Sequence, residues 1–482
     1  MPILPLALPT GSNVGREPHA GVARLINCYA EPSGEDQRSP MQIWASPGLD
    51  SLVTLAGSGG VRGMIEVDGV AHVVVGRTLH QVDPGGNAVA IGGIPSDGSV
   101  GMARNQRGTG VQTIIVCDGL AWVTTGGTLT RITDGDLPPP IDVCVVNRSA
   151  IFATADGRMF RSEIDDATTI DGLDTAEAET APDGLFRVVS RGGGLLAIGP
   201  TSFEVWMDQG GEAFGFSRQS AELIGAVGPR AVTTATIIRG ETITDAVAWV
   251  STDSKGRYAG VVICEAVTAR KISTFYVDRA IRAVADKSAI VATSWVSMGH
   301  GFIAFRLPDR TLVYDTTTGA WHERQSRTTS GAPTAWRASL ATVLGGRVLV
   351  GDAENPKLYW LDEDTADEDG DEMIVTVRTP PANAWPGRVE MNHLYLDIVP
   401  GVGTGTGASQ DITPEVSMRK SYDGENWGPI RTRQLGQQGE RSRRVSWTSI
   451  GTFATCSFEF SASAAVARGF MQAKWDGVTI KP

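Results

Sequence analysis

Short apolar runs alternate with turn residues along most of the chain. In "LVYDTTTGAWHERQ" (312–325), a run that ends at Tyr314 is followed by Asp315, by Gly319 and by a second run that begins at Trp321. β-Branched and aromatic residues favour a pleated strand, whereas Asp and Gly favour a tight turn. The stretch therefore predicts a strand, a turn and a return strand.

This unit recurs at a spacing of roughly 45 residues, which is in the range of a four-stranded propeller blade. Seven stretches show it: 64–91, 112–132, 144–164, 186–211, 246–273, 302–325 and 339–362. A single antiparallel blade cannot cover both of its faces, but a ring of blades covers them all. We therefore predict an all-β fold with a β-propeller of six or seven blades, the lower number applying if one of the seven units is part of a split closing blade. A β-sandwich array is the alternative.

The pattern changes after the acidic stretch "LDEDTADEDGDE" (361–372). Longer alternating strands follow, as in "EMNHLYLDIVP" and "FATCSFEFSAS". They predict a C-terminal β-sandwich. The predicted organisation is an extended N-terminal arm with lead-in strands at 1–60, the propeller at 61–362, an acidic linker at 363–372 and the sandwich at 373–482.

Charge and cysteine usage narrow the functional class. The 482 residues carry a net charge of −12, and the densest basic run is "ERSRR" (440–444). A classical DNA reader has a basic face that neutralises phosphates, so tight nucleic-acid binding is not expected. Five cysteines lie far apart in apolar runs, without zinc-type spacing, and are predicted to be buried reduced thiols: Cys28, Cys117, Cys144, Cys264 and Cys456.

Three motifs resemble binding sites, but each is better explained by a structural role. In the acidic stretch Gly370 stands in the wrong register for a calcium loop, so a solvated linker is predicted. "SYDGENWG" (421–428) resembles an Asp-box that is one residue short between Asp423 and Trp427, and it predicts a turn. Arg441, Arg443 and Arg444 could face a phosphate backbone, but an exposed basic strand edge is the commoner meaning.

No residue set forms a catalytic constellation. Carboxylates are abundant, for example at Glu163, Asp165, Asp166, Glu204 and Asp208, but their sequence positions bring no two of them together. The six histidines have no evident Ser or Cys partner, and no nucleophile elbow or phosphate-binding glycine pattern is present. We therefore predict no catalytic residues, no metal and no cofactor, and a protein that is not an enzyme.

The beginning of the chain carries a family resemblance. "RLINCYAEP" (24–32) is followed by "IWASPGLDSL" (43–52) and then by "VRGMIEV" (61–67). Together with "PDGLFRVVSRGGGLLAIGPTSFEVW" and "SYDGENWGP", these segments resemble the packaged-DNA stabilisation proteins of short-tailed bacteriophages, which are tail hub or nozzle proteins. The resemblance covers most of the length through short, degenerate motifs.

The resemblance implies a structural virion protein. Such proteins form a six-fold ring below the portal and its adaptor after packaging. They extend the DNA channel, seat a needle or plug, and carry tailspikes or fibres. It implies a homo-hexamer in the virion tail, assembled in the bacterial cytoplasm, through which DNA passes without sequence recognition. No catalytic residues transfer from the family.

The apolar N-terminus "MPILPLALPTG" is interrupted by prolines and lacks a positive flank, so neither a signal peptide nor a membrane span is expected. We predict that it docks onto the adaptor by adding extended backbone to a neighbour. The docking residues would be Pro2, Ile3, Leu4, Pro5, Leu6, Leu8 and Pro9.

Two other functions remain open, a carbohydrate-binding propeller and a propeller glycan hydrolase or lyase. The first requires exposed aromatic side chains in equivalent loops of several blades, and the second requires clustered carboxylates at one mouth. Four tryptophans lie in strand-like runs and are predicted to be core: Trp122, Trp206, Trp249 and Trp360.

Overall fold

Antiparallel strands form two successive domains. The computed structural model describes residues 3–34, 39–107, 110–211 and 214–480. Seven sheets are arranged in a ring, and a β-sandwich follows them. The predicted all-β fold, a β-propeller followed by a C-terminal β-sandwich, is confirmed.

The N-terminal segment supplies strands to both domains. It contains a 3₁₀ helix, Pro18–Ala20, and six strands: β1 (Ile3–Leu6), β2 (Asn13–Val14), β3 (Val22–Ile26), β4 (Cys28–Pro32), β5 (Met41–Ala45) and β6 (Gly48–Thr54). Of these, β1, β3, β4 and β5 pair within the sandwich, whereas β6 pairs within the last blade. The segment therefore connects the two domains.

Blades 1 to 4 each contain four consecutive antiparallel strands. Blade 1 has β7 (Val61–Val67), β8 (Val70–Val75), β9 (Thr78–Val82) and β10 (Ala88–Gly93); blade 2 has β11 (Val100–Arg107), β12 (Gly110–Cys117), β13 (Leu120–Thr124) and β14 (Thr130–Arg131); blade 3 has β15 (Pro140–Val146), β16 (Ser149–Thr154), β17 (Arg158–Glu163) and β18 (Asp166–Glu177); blade 4 has β19 (Arg187–Arg191), β20 (Gly194–Ile198), β21 (Phe203–Asp208) and β22 (Phe216–Glu222).

Blades 5 to 7 carry additions to this plan. Blade 5 has β23 (Ile224–Ala226), β24 (Val232–Arg239), β25 (Thr242–Asp253), β26 (Tyr258–Cys264) and β27 (Ala269–Lys271); helix α1 (Phe275–Ala283) follows; blade 6 has β28 (Val291–Ser297), β29 (His300–Arg306), β30 (Thr311–Asp315), β31 (Trp321–Arg327) and β32 (Pro333–Ala335); blade 7 has β33 (Ala338–Leu344), β34 (Arg347–Asp352) and β35 (Lys357–Asp362). Two 3₁₀ helices, Pro229–Ala231 and Lys287–Ala289, flank blade 5.

The seventh blade is completed by the N-terminal strand β6. Its residues pair antiparallel with β35, from Gly48 opposite Asp362 to Thr54 opposite Lys357. The ring therefore has seven blades, and the seventh is the split one. Strand pairing between distant parts of the chain closes the propeller without leaving an open sheet edge at the junction.

Turn chemistry explains the short hairpins. Asp68 and Gly69 both have positive φ, 51° and 78°, as a two-residue type I′ turn requires. In the hairpin at 312–325, Asp315 Oδ1 accepts from the backbone N–H groups of Thr317 and Thr318, and Gly319 has φ 71°. The strand–turn–strand prediction for 312–325 is confirmed.

Each interface between neighbouring blades has its own apolar cluster. The clusters centre on Trp122 between blades 1 and 2, Phe152 between 2 and 3, Trp206 between 3 and 4, Trp249 between 4 and 5, Phe305 between 5 and 6, Trp336 between 6 and 7, and Trp360 between 7 and 1. The four tryptophans predicted to be core are all buried. Burial of apolar surface at these interfaces holds the ring together.

Helix α1 fills the outer junction of blades 5 and 6. Thr274 caps it by accepting from the backbone N–H of Val277, and Tyr276, Val277 and Ile281 pack into the shared cluster. The helix thereby places the Tyr276 hydroxyl next to blade 6.

The sandwich consists of two sheets over one core. Its strands are β36 (Val375–Arg378), β37 (Ala382–Asn383), β38 (Arg388–Ile398), β39 (Glu415–Ser421), β40 (Arg431–Gln434), β41 (Val445–Phe453), β42 (Thr455–Ala462) and β43 (Gly469–Ile480), with the one-turn helix α2 (Ser409–Ile412). One sheet has the order β4-β5-β43-β38-β41, and the other runs β3-β36-β42-β39-β40. Trp447, Phe458 and Phe460 are fully buried between them.

Candidate functional site

Strand β3 joins the propeller to the sandwich. It pairs antiparallel with β36 of the sandwich and contacts β31, the fourth strand of blade 6, in parallel. Asn27, just after β3, donates from Nδ2 to the carbonyls of Gln325 and Ile374, both at 3.0 Å. One sheet therefore runs without interruption from blade 6 into the sandwich.

A buried ion pair lies at this junction. Arg24 donates to both carboxylate oxygens of Glu323, at 2.8 and 2.5 Å, and the Tyr276 hydroxyl donates to the same carboxylate at 2.8 Å. Glu323 is fully buried. Burial alone would raise the pKa of Glu323, but Arg24 and Tyr276 hold it below its ordinary value. The pair is therefore ionised and fixes the position of β3 against blade 6.

The acidic stretch also packs into this junction. Glu368 is 1% exposed; its carboxylate accepts from the Ser326 hydroxyl at 2.5 Å and lies 3.6 Å from both Arg324 and Arg337. Arg324 is itself buried and lies over the Trp336 ring at 4.2 Å. The prediction that this stretch is solvated was wrong for Glu368, because the arginines of blades 6 and 7 provide partners that neutralise it. We call Arg24, Asn27, Glu323, Arg324 and Glu368 the seam.

The predicted docking arm is partly used within the chain itself. Strand β1 pairs antiparallel with β43, Ile3 opposite Asp476 and Leu6 opposite Ala473. Leu6 and Pro9 are buried, and Leu8 packs against the sandwich core. Pro2 lies outside the described residues. The structure therefore places Ile3–Leu6 in an edge strand of the sandwich, with Leu8 and Pro9 beyond its end.

The outer side of this edge carries apolar side chains next to the charged Lys474 and Asp476. Ile3, Leu4 and Pro5 are exposed, with Ile3 at 60%. Side chains alternate along a strand, so Ile3 shares a face with Asp476, Val478 and Ile480 across the pair. Both Val478 and Ile480 are 44% exposed. This apolar outer face is the part of the arm that remains available to a partner.

The other candidate motifs have structural roles. Asp423 accepts from the backbone N–H groups of Glu425 and Asn426, which confirms the turn predicted at 421–428. Arg441 and Arg443 were expected at an exposed basic strand edge; both are exposed, but they lie in the turn that precedes β41. The strand prediction for these arginines was wrong, because β41 begins only at Val445.

The basic sandwich edge is instead formed by β40. Arg431 donates to the carbonyl of Thr448, and Arg433 donates to the carbonyl of Ser446, at 2.6 and 2.8 Å. These bonds occupy carbonyls along β41, the last strand of the opposite sheet. Arginines placed in this way discourage pairing with other chains.

The cysteines and the buried histidines belong to the core. All five cysteines are buried and free, as predicted. His300 lies 2.8 Å from Asp315, and burial lowers the pKa of the neighbouring His322 to about 4. His322 therefore packs as a neutral ring against Tyr29 and Phe302.

The seam was missed by the sequence analysis. The available signal was "WHERQ" in blade 6, where His322, Glu323 and Arg324 interrupt an otherwise apolar strand. Adjacent residues of a strand point to opposite faces, and neighbouring blades cover both faces of a blade. Consecutive ionisable residues in such a strand therefore indicate that at least one of them is buried with a polar partner. The partner of Glu323 is Arg24, about 300 residues earlier in the chain. The partner of Arg324 is Glu368, which lies beyond blade 7.

Two family models match the chain. Residues 22–366 match the model described as bacteriophage P22 Gp10, beta-propeller, and residues 376–476 match bacteriophage P22 Gp10, beta-sandwich. The chain belongs to this Gp10 family. The Gp10 family comprises packaged-DNA stabilisation proteins of short-tailed phages, so this is a structural protein of the phage virion. The family resemblance noted from the sequence is confirmed.

Solved structures similar to this Gp10-family chain are distant. Virginiamycin B lyase from Staphylococcus aureus is 13% identical, covers 65% of this chain and 98% of its own, and has a TM-score of 0.43. The WD40 propeller domain of Doa1 is 9% identical, with coverages of 65% and 96% and a TM-score of 0.38. None of the curated proteins searched matches the chain.

Neither a helix that could cross a bilayer nor a metal-binding cluster is found among the described residues. Among them, no helix combines the length and apolarity needed to cross a bilayer. In the same part of the chain, no group of three or more His, Cys, Asp or Glu side chains is arranged to hold a metal ion.

Proposed function

We propose that this chain is the tail hub, or nozzle, of a short-tailed phage. Six copies form a ring below the portal and its adaptor, close and extend the DNA channel, and retain the packaged DNA. The ring is the attachment point for a needle or plug and for tailspikes or fibres, and it assembles in the host bacterial cytoplasm. The observation that carries this proposal is the match of both domains, in order, to Gp10.

The charge of the chain supports a role as a conduit. A net charge of −12 repels the phosphate backbone, so DNA passes without sequence recognition and without adhering to the wall. The protein acts as a scaffold in this role and not as an enzyme.

The edge strand β1 is the proposed adaptor-docking element. Within the described residues β1 pairs with β43 on one side only. A strand added to the other side would gain main-chain hydrogen bonds, and the apolar outer face of Ile3, Val478 and Ile480 would provide side-chain contacts. Docking by backbone addition thus remains the proposal, with the sandwich edge holding the arm in an extended form.

A matched pair of charge insertions tests this docking. Ile3→Asp places a carboxylate on the proposed interface, whereas Val89→Asp does the same on the fourth strand of blade 1; both positions are 60% exposed. We expect Ile3→Asp to weaken binding to the adaptor ring of the same phage by at least about tenfold, and Val89→Asp to leave it unchanged. Sedimentation velocity measures both. Equal affinities of the two variants would remove β1 from the interface.

The carbohydrate-binding alternative receives no support from the aromatic side chains. In the described part of the chain the exposed aromatics are Phe275 on α1 and Trp385 and Tyr422 in the sandwich. They do not recur in equivalent loops of several blades, which repeated sugar contacts would require.

A further inference from the structure

The propeller encloses an axial cavity that has one basic mouth. The cavity measures about 790 Å³ and is lined by the first strands of all seven blades. Arg62, Arg187 and Arg230 line it where these strands begin, in blades 1 and 4 and just before β24 of blade 5. Equivalent strand ends lie at the same mouth of a propeller, so the three guanidinium groups converge there.

Two of these arginines lack a carboxylate partner. Arg187 is neutralised by Asp142, with Nε 2.6 Å from Oδ2. Arg62 donates to the carbonyls of Gly76, Ser96 and Gly98 at 2.7–2.9 Å. Carbonyl oxygens satisfy its N–H groups but carry no formal charge, and the nearby Asp97 carboxylate is shared with Arg77.

Arg230 is the free donor of the group. Among the described residues it has no hydrogen bond or ion pair, and its exposed side chain lies at the cavity mouth. Arg187 Nη1 donates to the carbonyl of the preceding Pro229 at 3.2 Å, which holds the two arginines side by side. The walls of the mouth partly desolvate the Arg230 guanidinium, and this desolvation, together with the like charges of Arg306 and Arg62, lowers the pKa of Arg230.

The carboxylates near the mouth are already engaged. Asp97, which also lines the cavity, pairs with Arg77 at 2.5 Å, and Glu354 pairs with Arg306 at 3.0 Å. Together with the Asp142 pair, these contacts leave Arg230 as the one arginine of the three that no nearby carboxylate of the described residues acts on. A chain with net charge −12 therefore keeps a localised positive site inside its propeller.

We propose that this mouth binds a small phosphate-bearing anion, with Arg230 as its direct ligand and Arg62 as a fixed neighbouring charge. The unpartnered guanidinium of Arg230 presents paired N–H groups to phosphate oxygens, and Arg62 adds a second positive charge nearby. The cavity has the size of sites that hold small ligands. The site lies within one chain and does not depend on the tail-hub role.

Calorimetric titration with inorganic phosphate at low ionic strength tests the site, because salt screens such contacts. We expect one site per chain in the native protein and at least about tenfold weaker binding in Arg230→Gln, through loss of a charge-assisted hydrogen bond. Arg230→Lys keeps the charge and should bind with intermediate affinity. Arg131→Gln, on the exposed fourth strand of blade 2, is the matched control and should bind like the native chain.

Three outcomes would overturn the site. The native chain could show no saturable uptake, or Arg131→Gln could weaken binding as much as Arg230→Gln, which would indicate a diffuse charge effect. A short DNA duplex could also displace phosphate with a dependence on Arg230, which would assign the mouth to a nucleic-acid backbone. Because Arg230 is exposed, its variants should retain the native Tm, and the titration then reports binding alone.

Discussion

The interfaces between blades and the seam between the domains bury opposite chemistry. Between blades the clusters are largely apolar, as around Trp249, whose ring centroid lies 5.1 Å from that of Phe203. The Arg187–Asp142 ion pair, which lies between blades 3 and 4, is an exception. At the seam Arg24, which is partly buried, pairs with the buried Glu323, and the buried Glu368 lies 3.6 Å from the buried Arg324. Apolar contacts tolerate small displacements, whereas ion pairs demand one geometry. The ring is therefore held by burial, and the seam fixes how the sandwich is oriented on it.

Removing a large side chain from a blade interface should have the largest effect. Trp249→Ala leaves a cavity between blades 4 and 5 and removes the aromatic contact of Phe203. We expect the free energy of unfolding to fall by about 4 kcal/mol. Chemical denaturation measures it, with Trp385→Ala, at 76% exposure, as the control that should change it by less than about 0.5 kcal/mol. Similar losses in the two variants would contradict a ring held by burial.

Breaking the seam should cost somewhat less. Glu323→Gln leaves the Arg24 guanidinium without a counter-charge, and we expect a loss of about 3 kcal/mol. The double variant Arg24→Met/Glu323→Leu removes both charges and should recover most of that loss, since it leaves no buried ion unpaired. A double-mutant cycle measures the coupling. An additive result would show that the pair does not act as a unit.

Acidification should lower the free energy of unfolding through protonation of His322, which lies in blade 6 beside the seam. His322 has a pKa of about 4 in the folded chain and an ordinary value of 6.5. Its stabilising contribution is thus complete above pH 6.5 and is lost as the pH falls towards 4, by roughly 1–3 kcal/mol. His322→Gln should flatten the stability profile in this window, whereas a change at the exposed His19 should not. A native profile that is already flat between these values would contradict a buried neutral imidazole.

The smallest effect is expected at an exposed turn outside both regions. Asp423→Ala removes the acceptor of the Glu425 and Asn426 N–H groups, but water can replace it there. We expect its Tm to fall less than in Trp249→Ala or Glu323→Gln. A fall as large as that of Glu323→Gln would mean that this turn, and not the seam, limits the stability of the sandwich.

The repeating hairpins made the propeller predictable, because strand period and turn residues are local properties. The blade number stayed open between six and seven, since β6 lies about 300 residues from β35, with which it pairs. For Glu368 the sequence gives the charge but not the burial, so the acidic stretch was predicted as solvated. The arm residues were predicted as a unit, but their pairing with β43 depends on a contact between the two chain ends.

The mass of the assembled species, measured by native mass spectrometry with and without the portal-adaptor protein, tests the tail-hub proposal most directly. From the tail-hub proposal we expect a species of six copies, either alone or formed on the adaptor ring. A chain that stays monomeric and is indifferent to the adaptor would contradict it.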